Sequence, residues 1–262
     1  MPEGDTIHRS ANRLAAALAG RTLERVEAPR WTGRLPAVGE TMEGVDAVGK
    51  HLLVRFSGGL VLETHMKMIG SWHLYRPGER WQRAAHRVRV RLDTADWLAV
   101  CFDAPVVRFG PARAADRVLE HLGPDLTEGV DDATVAECVS RMARLVDPTA
   151  EVADVLRDQR VCCGVGNVYA SEVPWALELL PTVPIGEVPD EMRVRMVATA
   201  AAQLSANLDR SRRMTVPEGL AVYGRAGKPC RRCGATITSE VRGPHARRTH
   251  WCPGCQHEPG AR

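Results

Sequence analysis

The chain has 262 residues, of which 44% are hydrophobic, enough for a buried core and for one large domain or two to three small ones. The longest stretch without Asp, Glu, Lys or Arg is the 13 residues from Met196 to Leu208, too short to span a bilayer as a helix, and the opening MPEGDTIHRS has no apolar signal-peptide run. Membrane-integral and secreted classes are therefore set aside. The net charge of +3 is unevenly spread: residues 221–262 carry eight Lys/Arg against two Asp/Glu (net +6), and the first 220 carry 27 against 30 (net −3). A basic C-terminal module on a near-neutral body implies an anionic partner, with a solvated tail as the plainer reading.

In chain order, Asp5 or Thr6 is placed to cap a first helix whose apolar face is Ile7, Ala11, Leu14, Ala15 and Leu18, with Gly20 as its stop. Strand patterns follow. His51 to Phe56, then Ser57-Gly58-Gly59, then Leu60 to Leu62 reads as a hairpin. Arg87 to Leu92 alternates strictly, which predicts one buried face and one basic, wet face, and Trp97 to Phe102 reads as its neighbour. Near residue 125 the period becomes helical. Val135, Cys138, Val139, Met142 and Leu145 share one face, a second helix covers Thr149 to Arg157, and Pro189 opens a third to about Leu208. Residues 209–220 read as a loop.

Cys230-x2-Cys233 and Cys252-x2-Cys255, separated by 18 residues, have four-cysteine zinc spacing. Four thiolates complete a tetrahedral shell and leave no position for water, so one structural Zn²⁺ is expected. About 40 residues bury little core, so the metal supplies the folding free energy. Thr236 to Trp251, between the knuckles, predicts a hairpin bearing Arg242, Arg247 and Arg248, side chains suited to a phosphate backbone.

Two further segments carry chemistry. If Met1 is removed, Pro2 exposes a secondary amine with a pKa of about 7.7–8.0, partly neutral at working pH. Such an amine attacks an aldehyde-like carbon to form an iminium, and the adjacent Glu3 is a proton donor or acceptor. Gly164-x-Gly166 forms a tight turn after which Asn167 opens a helix, whose N-terminal N–H groups suit a phosphate. Each feature alone also has a bland reading: a tolerated proline, or a plain interhelical turn.

Together the pieces resemble the formamidopyrimidine-DNA glycosylase/endonuclease VIII family. The matching segments are Pro2-Glu3-Gly4, Gly49-Lys50-His51-Leu52-Leu53, His65 to Gly70, Gly164 to Glu172, Tyr223-Gly224-Arg225 with Gly227 and Pro229-Cys230, and the cysteine finger. They span almost the whole chain in the family order. The resemblance implies an α+β multidomain fold: an N-terminal β-sandwich with flanking helices (1–124), a helix–two-turn–helix domain (125–220) and a C-terminal four-cysteine zinc finger (221–262).

It further implies a bifunctional DNA glycosylase and abasic-site lyase of base-excision repair. The substrate would be double-stranded DNA holding an oxidised base or abasic site, bound between the halves by a cytoplasmic, nucleoid-associated monomer that engages no membrane. Pro2, Glu3 and Lys50 would be catalytic. Asn167 and Arg247 would pinch phosphate, and Lys67, Met68 and Ile69 would fill the hole left by the flipped base. The start at Pro2-Glu3-Gly4 is nearer the endonuclease VIII branch, which favours oxidised pyrimidines.

Several positions depart from the family pattern. Pro174 falls where a helix should run and is expected to kink or shorten it. Cys162-Cys163 reads as a pair of buried thiols. Lys67-Met68-Ile69 matches neither branch, and the segment ending in Arg108-Phe109-Gly110 keeps one arginine of a family pair. The competing readings are a non-catalytic damaged-DNA binder of the same fold and a zinc-stapled RNA-binding module. The Pro2, Glu3 and Lys50 set favours catalysis, since a pure binder needs none of them.

Overall fold

Ile7, Ala11, Leu14 and Leu18 line the buried face of the first helix, α1 (Gly4–Leu18), as their spacing predicts. The helix begins earlier than expected. Neither Asp5 nor Thr6 caps it; Glu3 does, in extended backbone, its carbonyl accepting the N–H groups of Thr6 and Ile7 at 2.9 and 3.0 Å. Asp5 lies inside the first turn instead, where a carboxylate complements the helix dipole. Gly20, at φ +74°, turns the chain out, and its N–H donates to the Met42 carbonyl. The computed structural model describes residues 2–260, so the expected removal of Met1 lies outside the described residues.

Nine strands follow: β1 (Arg21–Thr22), β2 (Arg25–Glu27), β3 (Thr41–Val48), β4 (His51–Phe56), β5 (Leu60–His65), β6 (Ser71–Tyr75), β7 (Val88–Asp93), β8 (Leu98–Phe102) and β9 (Val106–Pro111). They form two antiparallel sheets in the orders β1-β3-β4-β5-β9 and β2-β7-β8-β6. One core joins them: Leu14 and Leu18 of α1 pack with Leu52, Val54 and Leu62 of the first sheet and Val90, Leu92 and Ala99 of the second. Each of these fully buried leucines and valines contributes about 1.5–3 kcal/mol. The expected basic, wet face of β7 is corrected by the structure. Arg89 and Arg91 are half-buried, and Arg91 pairs with Asp93 at 2.5 Å and lies over the Trp81 ring. A further helix, α2 (Ala112–Leu119), closes this unit, and the chain divides into two compact units after His121.

The second unit holds α3 (Asp132–Leu145), α4 (Val152–Arg157), α5 (Tyr169–Ala176) and α6 (Asp190–Ser205). Asp131 caps α3 by accepting the Thr134 N–H at 2.8 Å. Val135, Cys138 and Met142 face inward as expected, but Leu145 is exposed. Two helices are shorter than their patterns predict: α4 starts at Val152 rather than Thr149, and α6 stops at Ser205 rather than Leu208. Pro174 acts as anticipated, since it lacks the N–H that would bond the Ala170 carbonyl and α5 ends two residues later after eight residues. Cys162 and Cys163 are fully buried. The hairpin β10 (Thr238–Arg242) and β11 (Arg247–Trp251) forms where expected. No helix among the described residues is long and apolar enough to cross a membrane.

Candidate functional site: an N-terminal acid, a hairpin lysine and a zinc-stapled anion surface

In the first unit, Pro2 is partly exposed and directly precedes Glu3, which is fully buried at the N-terminus of α1. A buried carboxyl at a helix N-terminus feels two opposed effects: burial favours its neutral form, and the dipole its anion. Lys50 occupies the two-residue turn Gly49-Lys50, flanked by the pair Val48↔His51. Gly49 sits at φ +56°, a left-handed position that glycine takes without cost. Because α1 packs on β3 and β4, the helix that begins at Glu3 and the hairpin that presents Lys50 belong to one packed body.

Behind Lys50 lies a polar relay whose connections were not read from the sequence. The His51 Nδ1 meets Glu63 Oε1 at 2.9 Å, and Glu63 Oε2 accepts from Arg108 at 3.2 Å. Glu63 is 2% exposed. Burial raises its pKa, but the hydrogen bonds and charges of His51 and Arg108 prevail and hold the carboxyl below its usual range. His51 also meets His65 edge-on, with ring centroids 4.8 Å apart.

His65 is pushed down to about 3, first by burial and then by the charges of His51, Lys67 and Lys50. The Lys67 N–H donates to its Nδ1 at 3.0 Å, a bond that only the unprotonated nitrogen accepts. This has a pH consequence. The unfolded chain takes up a proton on His65 below about pH 6.5, whereas the folded one does so only near 3. Stability is therefore complete above 6.5 and falls as the pH drops toward 3. In urea titrations from pH 7 to 5, above the carboxylate range, His65→Asn is expected to show the shallower decline; equal slopes would refute the assignment.

The segment between β5 and β6 presents the expected wedge residues. Lys67 is exposed in left-handed backbone at φ +46°, and Met68 and Ile69 are 58% and 61% exposed. Two adjacent large apolar side chains in water are unusual for a structural loop and typical of a contact surface.

In the second unit, Asn167 does not open the helix as expected. Helix α5 starts at Tyr169, and Asn167 is 8% exposed in the turn before it. Its amide is fixed on both sides: Nδ2 donates to the Arg248 carbonyl at 2.8 Å, and Oδ1 accepts from Arg157 at 2.9 Å. The preceding residue, Arg247, is exposed with no side-chain hydrogen bond or ion pair among the described residues, whereas Arg248 donates to Ser239. Of the two arginines, Arg247 is the one whose side chain is not engaged by the described residues.

Glu172, in the motif Gly164 to Glu172, was not singled out by sequence. It is fully buried and accepts four hydrogen bonds, from the Thr215 hydroxyl and from the N–H groups of Ala221, Val222 and Tyr223 at 2.7–2.8 Å. It ties α5 to the segment that enters the finger. The bidentate pair Arg242–Glu151 ties the β10–β11 hairpin to the start of α4.

The four cysteine Sγ atoms lie within 4.8 Å of one another, with Cys230–Cys255 at 3.8 Å and Cys233–Cys252 at 3.4 Å. Tetrahedral zinc with bonds of about 2.3 Å separates its sulfurs by about 3.8 Å, so the four thiols fit the ion. The Trp175 indole N–H points at Cys230 Sγ at 3.5 Å, and Arg232 lies over the same indole, 4.1 Å from the ring. These contacts orient the ligand sulfurs from outside the metal shell. The finger carries one structural zinc.

Residues 1–113 match the family described as Formamidopyrimidine-DNA glycosylase N-terminal domain, and residues 227–257 match the Zinc finger found in FPG and IleRS. The chain is 41% identical to the "Probable endonuclease 8 2" of Streptomyces coelicolor, covering all of this chain and 96% of that one. It is 38% identical to the "DNA-(apurinic or apyrimidinic site) lyase Nei2" of Mycolicibacterium smegmatis, over 98% of this chain and 99% of that one. The Lactococcus lactis formamidopyrimidine-DNA glycosylase, solved with abasic-site DNA, has the same fold with a TM-score of 0.82 at 20% identity, over 98% of this chain and all of the other. The chain belongs to the formamidopyrimidine-DNA glycosylase/endonuclease VIII family. Relatives in Mycobacterium tuberculosis and Escherichia coli, 37% and 31% identical, are also named endonuclease 8.

Proposed function

We propose that this protein is a bifunctional DNA glycosylase and abasic-site lyase of base-excision repair, acting on oxidised bases, chiefly pyrimidines, in double-stranded DNA. The observation that carries this reading is Glu3: a wholly buried acid at the start of a helix, next to an accessible proline, in a chain similar throughout to a named abasic-site lyase. The protein works as a monomer at the nucleoid, with domains at 1–124, 125–220 and 221–262.

The chemistry runs as follows. The lesion is flipped out of the duplex. The Pro2 amine, freed by removal of Met1, attacks C1′ as the C1′–base bond breaks and the base leaves with a proton. Glu3 protonates the ring oxygen as the sugar opens, leaving an iminium between Pro2 and C1′. The iminium acidifies C2′–H; loss of that proton expels the 3′ phosphate, and a second elimination expels the 5′ phosphate. Water then releases the sugar remnant from Pro2. Lys50 meets the adjacent phosphate and assists proton transfer. Asn167 and Arg247 grip the backbone, and Lys67, Met68 and Ile69 occupy the vacated stack.

Borohydride trapping on oligonucleotides carrying an abasic site, thymine glycol or 8-oxoguanine tests this reading, with the N-terminal mass measured in parallel. A covalent adduct whose peptide mass maps to Pro2 is the expected result, strongest among base lesions for thymine glycol. Lesion binding without an adduct, from protein whose first residue is Pro2, would replace the enzyme with a damage-binding protein.

A further inference from the structure

Of the four crossovers that carry the chain between the sheets of the first unit, two run side by side. Met66–Gly70 leads from β5 to β6, and residues 103–105 lead from β8 to β9. The pairs His65↔Val106 and Ser71↔Phe102 hold their ends in register. Their contact is backbone against backbone: a Cβ on Gly70 would lie 2.9 Å from the Cα of Ala104. Met66 and Ala104 are buried beneath, at 2% and 0% exposure. The exposed tip of the first crossover is Lys67-Met68-Ile69.

Each crossover also contains a non-glycine residue in left-handed backbone: Lys67 at φ +46° and Asp103 at φ +55°. Such residues persist where their surroundings over-determine them. Asp103 is held on every side. Its N–H donates to the Arg87 carbonyl at 3.0 Å. Its Oδ1 accepts from Arg87 Nε at 2.9 Å, and its Oδ2 meets Arg87 Nη2 at 2.7 Å and Arg83 Nη1 at 3.0 Å. The side chain is 15% exposed. Nothing in the chemistry assigned to Pro2, Glu3 and Lys50 uses this cluster.

We infer that Asp103, clamped by Arg83 and Arg87, is a positioning residue that fixes the second crossover and thereby holds Met68 and Ile69 ready to enter the duplex. The inference rests on the glycosylase reading above. A wedge that must be ordered during binding loses affinity to that ordering; one braced in advance does not.

The test uses the full-length, zinc-loaded protein with Asp103→Asn, which keeps the side-chain size and the tolerance for left-handed backbone but loses the charge. Arg83→Gln, which removes one arm of the clamp, and Met68→Ala run beside it. The first readout is the fluorescence of 2-aminopurine placed opposite an abasic analogue, which rises when the stack is opened. The second is lyase turnover on duplex and on single-stranded abasic oligonucleotides. Asp103→Asn is expected to reduce the fluorescence rise and to lower duplex kcat/KM about ten- to a hundredfold, mainly through KM. Single-strand turnover should be unchanged, because a single strand has no hole to fill. Arg83→Gln should fall between Asp103→Asn and wild type, and it decides the matter if Asp103→Asn does not fold.

Wild-type fluorescence and duplex KM in the clamp variants would overturn the inference. So would equal losses on both substrates, which would mark a general loss of stability. A full fluorescence rise in Met68→Ala would remove the wedge and the inference with it, whereas a wild-type protein with no turnover on either strand form would instead overturn the glycosylase reading.

Discussion

Glu3→Gln is expected to slow excision of an oxidised base by two to four orders of magnitude, the usual range for a lost general acid. The substitution preserves shape and hydrogen-bonding capacity at a site with 0% exposure, so little of the loss should come from misfolding. The effect should be unequal between substrates. Expelling a base requires a proton on the ring oxygen as the sugar opens. A preformed abasic site is already in equilibrium with its open aldehyde, and Pro2 can attack that form directly. Single-turnover rates on thymine glycol should therefore collapse while borohydride trapping on an abasic site falls far less. Equal losses on both would move Glu3 from proton donor to structural cap of α1.

Cys252→Ser should produce the second large effect, through folding rather than chemistry. The apolar cluster of the finger is small: Trp175, Ala221, Val222, Ile237 and three of the cysteines themselves. Zinc binding to such modules is worth on the order of 10–16 kcal/mol, which becomes folding free energy when no site exists beforehand. Three thiolates and a hydroxyl do not replace the shell, so zinc content should fall from one equivalent toward zero and the β10–β11 hairpin should be lost. DNA affinity should then drop by roughly a hundredfold, the scale of two lost hydrogen bonds to charged groups.

The damage should also spread further than the sequence implies. With residues up to 220 read as an independent body, the helices would be untouched. In the structure Glu172 holds the N–H groups of Ala221, Val222 and Tyr223, and Asn167 holds the Arg248 carbonyl. Hydrogen exchange should therefore rise in α5 and the turn before it, while the β-sandwich core stays protected. Unchanged zinc content would refute the four-cysteine assignment, and unchanged exchange in α5 would refute the coupling.

These expectations depend differently on sequence and on fold. Features written in short-range spacing were legible in the chain itself. The two CxxC pairs define a metal shell whatever surrounds them, and the apolar spacing from Ile7 to Leu18 defines a buried helical face. Ser57-Gly58-Gly59 marks a turn, and Pro174 shortens its helix because it lacks an N–H. Each is a local matter of covalent chemistry or periodicity.

Other features exist only once distant segments meet. Asn167 looked like a helix opener, but its amide is taken by Arg157 and by a carbonyl 81 residues further on. The arginines of β7 looked like a wet face, but an acid and an indole cover one of them. Nothing local marks Glu63 or Glu172 as buried, yet both are, because partners up to 51 residues away satisfy their oxygens. The wedge residues Met68 and Ile69 were named by resemblance, but their bracing by Asp103 follows from two crossovers lying side by side. The sequence alone determined which chemical groups this protein carries and the zinc it binds. The tertiary structure decided which charges are buried, paired or left exposed, because the cost of burying a polar group depends on partners that no local pattern encodes.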